Sequence, residues 1–227
     1  MRKHLLIIIL SGLFVSNIAA QKVKIGIVAG PVISSKVKTT TSSVSSGDSS
    51  RDRISSPKSS FSFFGGVVAA IPVSKNIIFK PQLQYIAKGW RIEHDRVNRP
   101  HYNTKLVSHW IELPLNFVYT VPAKNGRFFI GLGPYVSCAI SGKINDSREG
   151  HDKTIEFKKN DSFDSTVTAN RIDVGANIIG GYEFRNGLFI SLNYSRGFID
   201  FRNDTNEAKN PQNKNIVVGL GIGYMFK

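Results

Sequence analysis

The chain is short of three things, and each shortage excludes something. Its single cysteine, Cys138, leaves no partner for an intrachain disulfide. In an exported chain a lone thiol is usually packing filler, not a nucleophile. Strand alternation assigns Cys138 to an apolar face. No run of eighteen apolar residues exists, so no spanning helix is expected. Acids are scarce: 16 Asp and Glu stand against 30 Lys and Arg, a formal charge of +14. Catalytic patterns are missing as well. His94 and His101 fit no metal-ligand spacing, and with His151 they read as solvated loop histidines. Ser108 and His109 are adjacent, but neighbours on a strand point to opposite faces and cannot form a dyad. Gly219, Gly221 and Gly223 are no nucleotide loop, because no helix can follow them. No catalytic residue, cofactor or metal is therefore expected; a lipid-modifying enzyme is the one catalytic alternative left open.

What is present begins with a targeting segment. Arg2 and Lys3 precede an apolar core from Leu5 to Val15, too short to span, and Ala19 and Ala20 precede Gln21. The expectation is a signal peptide over 1–20, cut before Gln21, and a mature domain over 21–227. Removing Arg2 and Lys3 leaves a mature charge of +12. Export argues against nucleic acid as the partner of that charge and favours anionic lipid or lipopolysaccharide phosphates.

The mature chain is organised around its last strand, which begins near Asn215. Ile216, Val218, Leu220, Ile222, Tyr224 and Phe226 share one parity; Val217, Gly219, Gly221, Gly223 and Met225 share the other. Side chains on a strand alternate between faces. The segment thus shows bulk on one side and almost nothing on the other. Seven earlier stretches repeat the pattern: about 22–33, 61–71, 77–90, 105–121, 127–141, 168–184 and 188–198. The connections alternate long and short. The first long one, Ser34 to Ser60, holds twelve serines and cannot bury a core. The short ones fall at 72–76, 122–126 and 185–187, the last with Asn186-Gly187, a strong hairpin signal. An even count and this alternation predict an all-β, eight-stranded, antiparallel up-and-down transmembrane β-barrel. All long loops lie at one end and both termini at the other.

A soluble barrel would turn its apolar face inward; three features place that face against lipid. Eight strands leave room only for modest inward side chains. Aromatics gather at strand ends: Tyr119, Phe128, Tyr182, Phe184, Tyr224 and Phe226 near the short turns, Phe61, Phe63, Tyr85 and Tyr194 toward the loops. The polar parity carries both signs of charge, which must pair in a narrow interior. The expected lumen network comprises Lys80, Gln82, Gln84, Lys88, Glu112, Arg171, Asp173, Asn177 and Glu183. The loop charges Arg91, Arg96, Arg99, Lys158 and Lys159 are either lipopolysaccharide contacts or ordinary solvated charge.

Several motifs carry a resemblance. They are Lys24-Ile25-Gly26, Leu83-Gln84-Tyr85 with Lys88-Gly89, Trp110-Ile111-Glu112-Leu113-Pro114-Leu115 and Gly131-Leu132-Gly133-Pro134-Tyr135. In these the chain resembles the PorT-like outer-membrane β-barrel family, small eight-stranded barrels of the OmpX type. Gly221, Tyr224 and Phe226 resemble the C-terminal signal read by the barrel-assembly machinery, with two departures: Lys227 follows the terminal aromatic, and Gly219 stands where a polar residue is usual. The resemblance implies a bacterial outer-membrane location, termini in the periplasm and long loops outside. It implies contact with outer-membrane lipid and lipopolysaccharide, and with the assembly machinery. Fold does not carry function. The expected role is therefore a surface-interaction or envelope-stabilising barrel, with a type IX secretion accessory as alternative. Passage of small apolar molecules would need a lateral opening.

Overall fold

In the computed structural model, residues 23–36, 52–54, 58–96, 102–146, 152–154, 170–199 and 214–226 are described. The expected signal peptide and the middle of the serine-rich connection lie outside them. Ten strands are found: β1 (Lys24–Lys36), β2 (Asp52–Ile54), β3 (Lys58–Pro72), β4 (Ile77–Arg96), β5 (Tyr102–Ala123), β6 (Gly126–Asp146), β7 (Asp152–Thr154), β8 (Ile172–Phe184), β9 (Leu188–Gly197) and β10 (Asn215–Met225).

Eight of them close a ring. β1 pairs β3, then the pairing runs β3–β4–β5–β6–β8–β9–β10, and β10 returns to β1 with Gly26 opposite Met225 and Lys36 opposite Asn215. Every pairing is antiparallel. The chain folds into a closed eight-stranded antiparallel barrel, a ring that itself has no edge strand. The two three-residue strands, β2 on β4 and β7 on β6, extend the wall at the long-connection end.

The turns are tight because their residues permit it. Val73–Asn76 joins β3 to β4, and Lys124 and Asn125 alone join β5 to β6. Between β8 and β9, Gly187 takes φ +95°, a conformation that costs glycine no Cβ clash. The long-connection end differs from expectation. β4 and β5 stay paired out to His94 opposite Tyr102, through residues whose polarity reads as loop. Backbone pairing continues there because the ladder joins main-chain groups and does not depend on side-chain polarity.

The alternation sets the faces. Ile25, Ile27, Ile130, Leu132, Leu192, Leu220 and Ile222 are exposed on the outside. The outward column on β4 runs apolar from Ile77 to Gly89, about 30 Å along the axis at roughly 3.4 Å per residue and a tilt near 40°. That matches a hydrocarbon core. Cys138 lies in this outer face, exposed. One register shift corrects the sequence reading: between His109 and Trp110, β6 gains a residue. Ser141, expected inside, is exposed outside.

Candidate functional site

The interior holds the charged residues, and it is packed. Three acidic side chains, Glu112, Asp173 and Glu183, are buried there. Toward the long-connection end, β4 and β5 bring Lys88 beside Glu112, Nζ to Oε2 2.5 Å. Asp173 on β8 approaches the same ammonium at 3.7 Å. Glu112 Oε1 accepts from Gln84 Nε2 at 2.8 Å, and Gln82 donates to Gln84. Asp173 Oδ2 accepts from the Tyr135 hydroxyl at 3.1 Å and from Asn215 Nδ2 at 3.2 Å. The Trp110 and Tyr135 rings face the ammonium at 5.4 and 5.0 Å, a favourable setting for a desolvated cation. Trp110 Nε1 donates to Ser108 Oγ, which donates to the Lys88 carbonyl. Nearly every polar group of this cluster is thus satisfied; Asp173 Oδ1 is the buried exception with no hydrogen-bond partner.

Below it, Asn177 donates to Asn116 at 2.9 Å and accepts from Ser195 at 2.8 Å. A cavity of about 20 Å³ remains, lined by Gln82, Gln84, Glu112, Asn116, Asn177 and apolar neighbours. That is room for one water, not for a channel. Toward the short turns the interior changes character. Lys80 lies between the Phe129 and Phe189 rings, 4.4 and 4.3 Å from their centroids. Arg127 and Glu183 pair at 2.7 Å beside them.

The lumen residues named from the sequence therefore fall into three groups. Lys80, Gln82, Gln84, Lys88, Glu112, Asp173, Asn177 and Glu183 are buried inside. They split into an upper ionic cluster, a middle amide layer and a lower ring-and-ion layer. Arg171 is the correction: it precedes β8 and is exposed, so it takes no place in the interior. The interior is also less polar than expected, with Phe64, Phe129, Phe189, Trp110 and Tyr135 all buried. Their space comes from inward glycines. A Cβ on Gly221 would press on Phe64, and one on Gly181 would press on Phe129. Tyr135 and Asn215 were missed as cluster members. Tyr135 shares parity with Gly131, Gly133 and Ser137, so alternation alone could have found it.

Outside, Ser108 and His109 lie on opposite sides of the wall. His109 stacks on Tyr85, rings 5.8 Å apart, with the Tyr85 hydroxyl and Nδ1 at 2.5 Å. Among the described residues no three His, Cys, Asp or Glu could hold a metal. Gly221 faces inward, while Tyr224 and Phe226 face out with rings 5.6 Å apart. Phe128, Tyr182 and Phe184 form a chain of ring contacts near the short turns, and Phe61 and Phe63 a pair toward the other end. Of the loop cations, Arg91 is exposed on β4, and Arg96 lies in β4 with its side chain outside the described set. Arg99, Lys158, Lys159, His101 and His151 lie outside the described residues.

A family model described as outer membrane protein beta-barrel domain matches residues 19–203. No curated protein matches the chain. Among solved structures it is similar to Ail, the attachment invasion locus protein of Yersinia pestis, at 13% identity and TM-score 0.42, covering 91% of this chain and 100% of that one. It is similar to Neisserial surface protein A at 12% identity and TM-score 0.40, covering 90% and 97%. For OprG from Pseudomonas aeruginosa the values are 9%, 0.39, 89% and 95%.

Proposed function

The chain belongs to the outer membrane protein beta-barrel domain family, and from that premise we propose that it is a closed barrel acting through its long-connection end, in surface interaction or in stabilising the envelope. It is a bacterial outer-membrane β-barrel protein. The observation that carries the proposal is the filled interior. The Lys88–Glu112–Asp173 cluster, the amide layer and the Lys80 ring sandwich occupy the axis in succession. A barrel with no lumen to offer can act only through its outer wall and its ends. The short-turn end offers three connections of a few residues; the other end carries all the long ones. In this reading the long connections face the cell exterior and the termini the periplasm.

The test has two arms. An epitope inserted after Gly47 should be labelled by antibody on intact cells; labelling only after permeabilisation would reverse the orientation. Deleting the gene should leave secreted proteins unchanged while altering detergent sensitivity or surface binding. Loss of secreted cargo would replace this reading with the secretion accessory that the PorT-like resemblance implies.

A further inference from the structure

The three tight turns share a feature that the fold does not require. Each sets one cation beside an asparagine: Lys75-Asn76, Lys124-Asn125 and Arg185-Asn186. The asparagines serve the turns. The Asn76 carbonyl accepts from the Thr120 N–H at 2.8 Å and the Asn125 carbonyl from the Arg185 N–H at 3.2 Å. Asn186 Oδ1 accepts from the Leu188 N–H at 3.0 Å. The cationic side chains serve none of this. Lys75, Lys124 and Arg185 are exposed, and they form no ion pair among the described residues. Uncharged polar residues suit such turns equally well, yet all three are basic.

The topology spreads them around the mouth. The turns join β3 to β4, β5 to β6 and β8 to β9, and the seam of β10 with β1 lies between the last of these and the first. Lys24, exposed at the start of β1, stands at that seam. One cation therefore sits at every second strand boundary. No acid offsets them. The stretches 23–27, 70–78, 121–128, 182–190 and 222–226 hold Glu183 as their only Asp or Glu, and Glu183 is buried and paired with Arg127 at 2.7 Å. Residues 1–22 hold no Asp or Glu. The ring looks along the barrel axis, whereas leaflet lipids border the wall. An anion that meets all four cations must approach from beyond the membrane. Val73 and Pro122 are the exposed apolar residues of the turns, and they lie on different ones. The face thus lacks the contiguous apolar centre of a stable protein interface. Separate cations on a hydrated face suit a flat, repeating polyanion held weakly at several points at once.

We propose that Lys24, Lys75, Lys124 and Arg185 form a docking face for the cross-linked sugar–peptide polymer of the cell wall, whose peptide stems carry free carboxylates. Arg185 supplies a planar fork that fits a carboxylate, and the lysines supply point charges. The proposal rests on the orientation given above, with the short turns toward the periplasm. It adds to the long connections a second working end, which ties the barrel to the layer beneath it.

The experiment uses the full mature chain, refolded in neutral dodecyl maltoside and sedimented with purified sacculi. Saturable cosedimentation is expected, weakened about fivefold for each cation removed, the scale for a basic side chain at an anionic surface. Lys75→Gln/Lys124→Gln/Arg185→Gln should therefore bind about a hundredfold more weakly, while Lys75→Arg/Lys124→Arg/Arg185→Lys retains most of the affinity. Arg91→Gln/Lys105→Gln/Lys143→Gln removes equal charge from exposed positions toward the other end and should bind as the unaltered chain does. Sacculi with their carboxylates amidated should not bind. Equal weakening in both charge-removing variants would reduce the effect to net charge and overturn the proposal, as would equal binding to amidated sacculi. Preference for phosphatidylglycerol vesicles over sacculi would give the face to lipid headgroups and overturn it as well. Orientation is read separately by the epitope after Gly47: labelling on intact cells without sacculus binding overturns this proposal alone. Resistance of the unheated samples to SDS unfolding establishes that each variant is folded.

Discussion

Replacing Lys88 with Met should be the most damaging single change in the interior. Its ammonium is 2.5 Å from Glu112 and 3.7 Å from Asp173, with both carboxylates almost fully buried. Removing the cation strands two acids in a packed interior. Breaking a buried pair by deleting one partner costs about 3–5 kcal/mol, because the remaining charge is uncompensated. Glu112→Leu should cost less, about 2–3 kcal/mol: Lys88 keeps Asp173 and two ring faces, and the chief new loss is the acceptor of Gln84. The double variant Lys88→Met/Glu112→Leu removes both members of the close pair. Its cost should fall short of the sum of the singles by about 2 kcal/mol or more, the coupling expected of contacting residues. The measurement is equilibrium urea unfolding in phospholipid vesicles. Tryptophan fluorescence is a local reporter, since Trp110 is buried beside Lys88. Additive single costs, within about 0.5 kcal/mol, would refute the reasoning, as would a Lys88→Met barrel as stable as the unaltered one.

The other buried lysine should behave differently. Lys80→Met keeps a flexible, polarisable chain between Phe129 and Phe189, and Arg127 still holds Glu183; a change under about 1 kcal/mol is expected in the same unfolding assay. Gly133→Ala should prevent folding, seen as loss of heat-modifiable mobility, because a Cβ there would land on the Leu115 carbonyl. Gly180→Ala is the matched control, with its nearest neighbour 3.8 Å away, and should change stability by less than about 0.5 kcal/mol. In planar bilayers the purified barrel should give no stepwise conductance; steady channel openings would contradict the filled lumen.

The face of each strand was legible in the sequence, because period-two alternation is a direct consequence of strand geometry. From it came the ring of eight staves and the burial of Lys80, Lys88, Glu112, Asp173 and Asn177. Three things were not legible. Strand ends at the long-connection side were misplaced because polarity marks where water begins, not where pairing stops; Arg91, Glu93 and His94 are polar and still paired. The extra residue in β6 is invisible to a pattern of hydrophobicity, yet it reverses Ser141. The third concerns glycine. The bare inward face of β10 read as a sign of a cramped barrel. In the structure the space beside Gly221 is taken in part by Phe64, which reaches over from β3, two strands away. A column of inward glycines therefore predicts large inward rings on nearby strands, which Phe64, Phe129 and Tyr135 supply.

The two ends of the interior are closed by different means, and the difference bears on where selectivity can reside. Near the short turns a cation is held between two rings, an arrangement that tolerates exchange of the charge for a neutral chain. Near the long connections the closure is an ion cluster whose members depend on one another. Passage along the axis would require both to give way, and with them the Asn116–Asn177–Ser195 layer between. Breaking the ionic closure alone costs about 3–5 kcal/mol, a large part of the roughly 5–15 kcal/mol that holds an ordinary domain folded. Opening is thus coupled to loss of the fold. The outer wall bears no such penalty. Recognition by this barrel is therefore to be sought on its wall and at its ends, where a partner can bind without opening the interior.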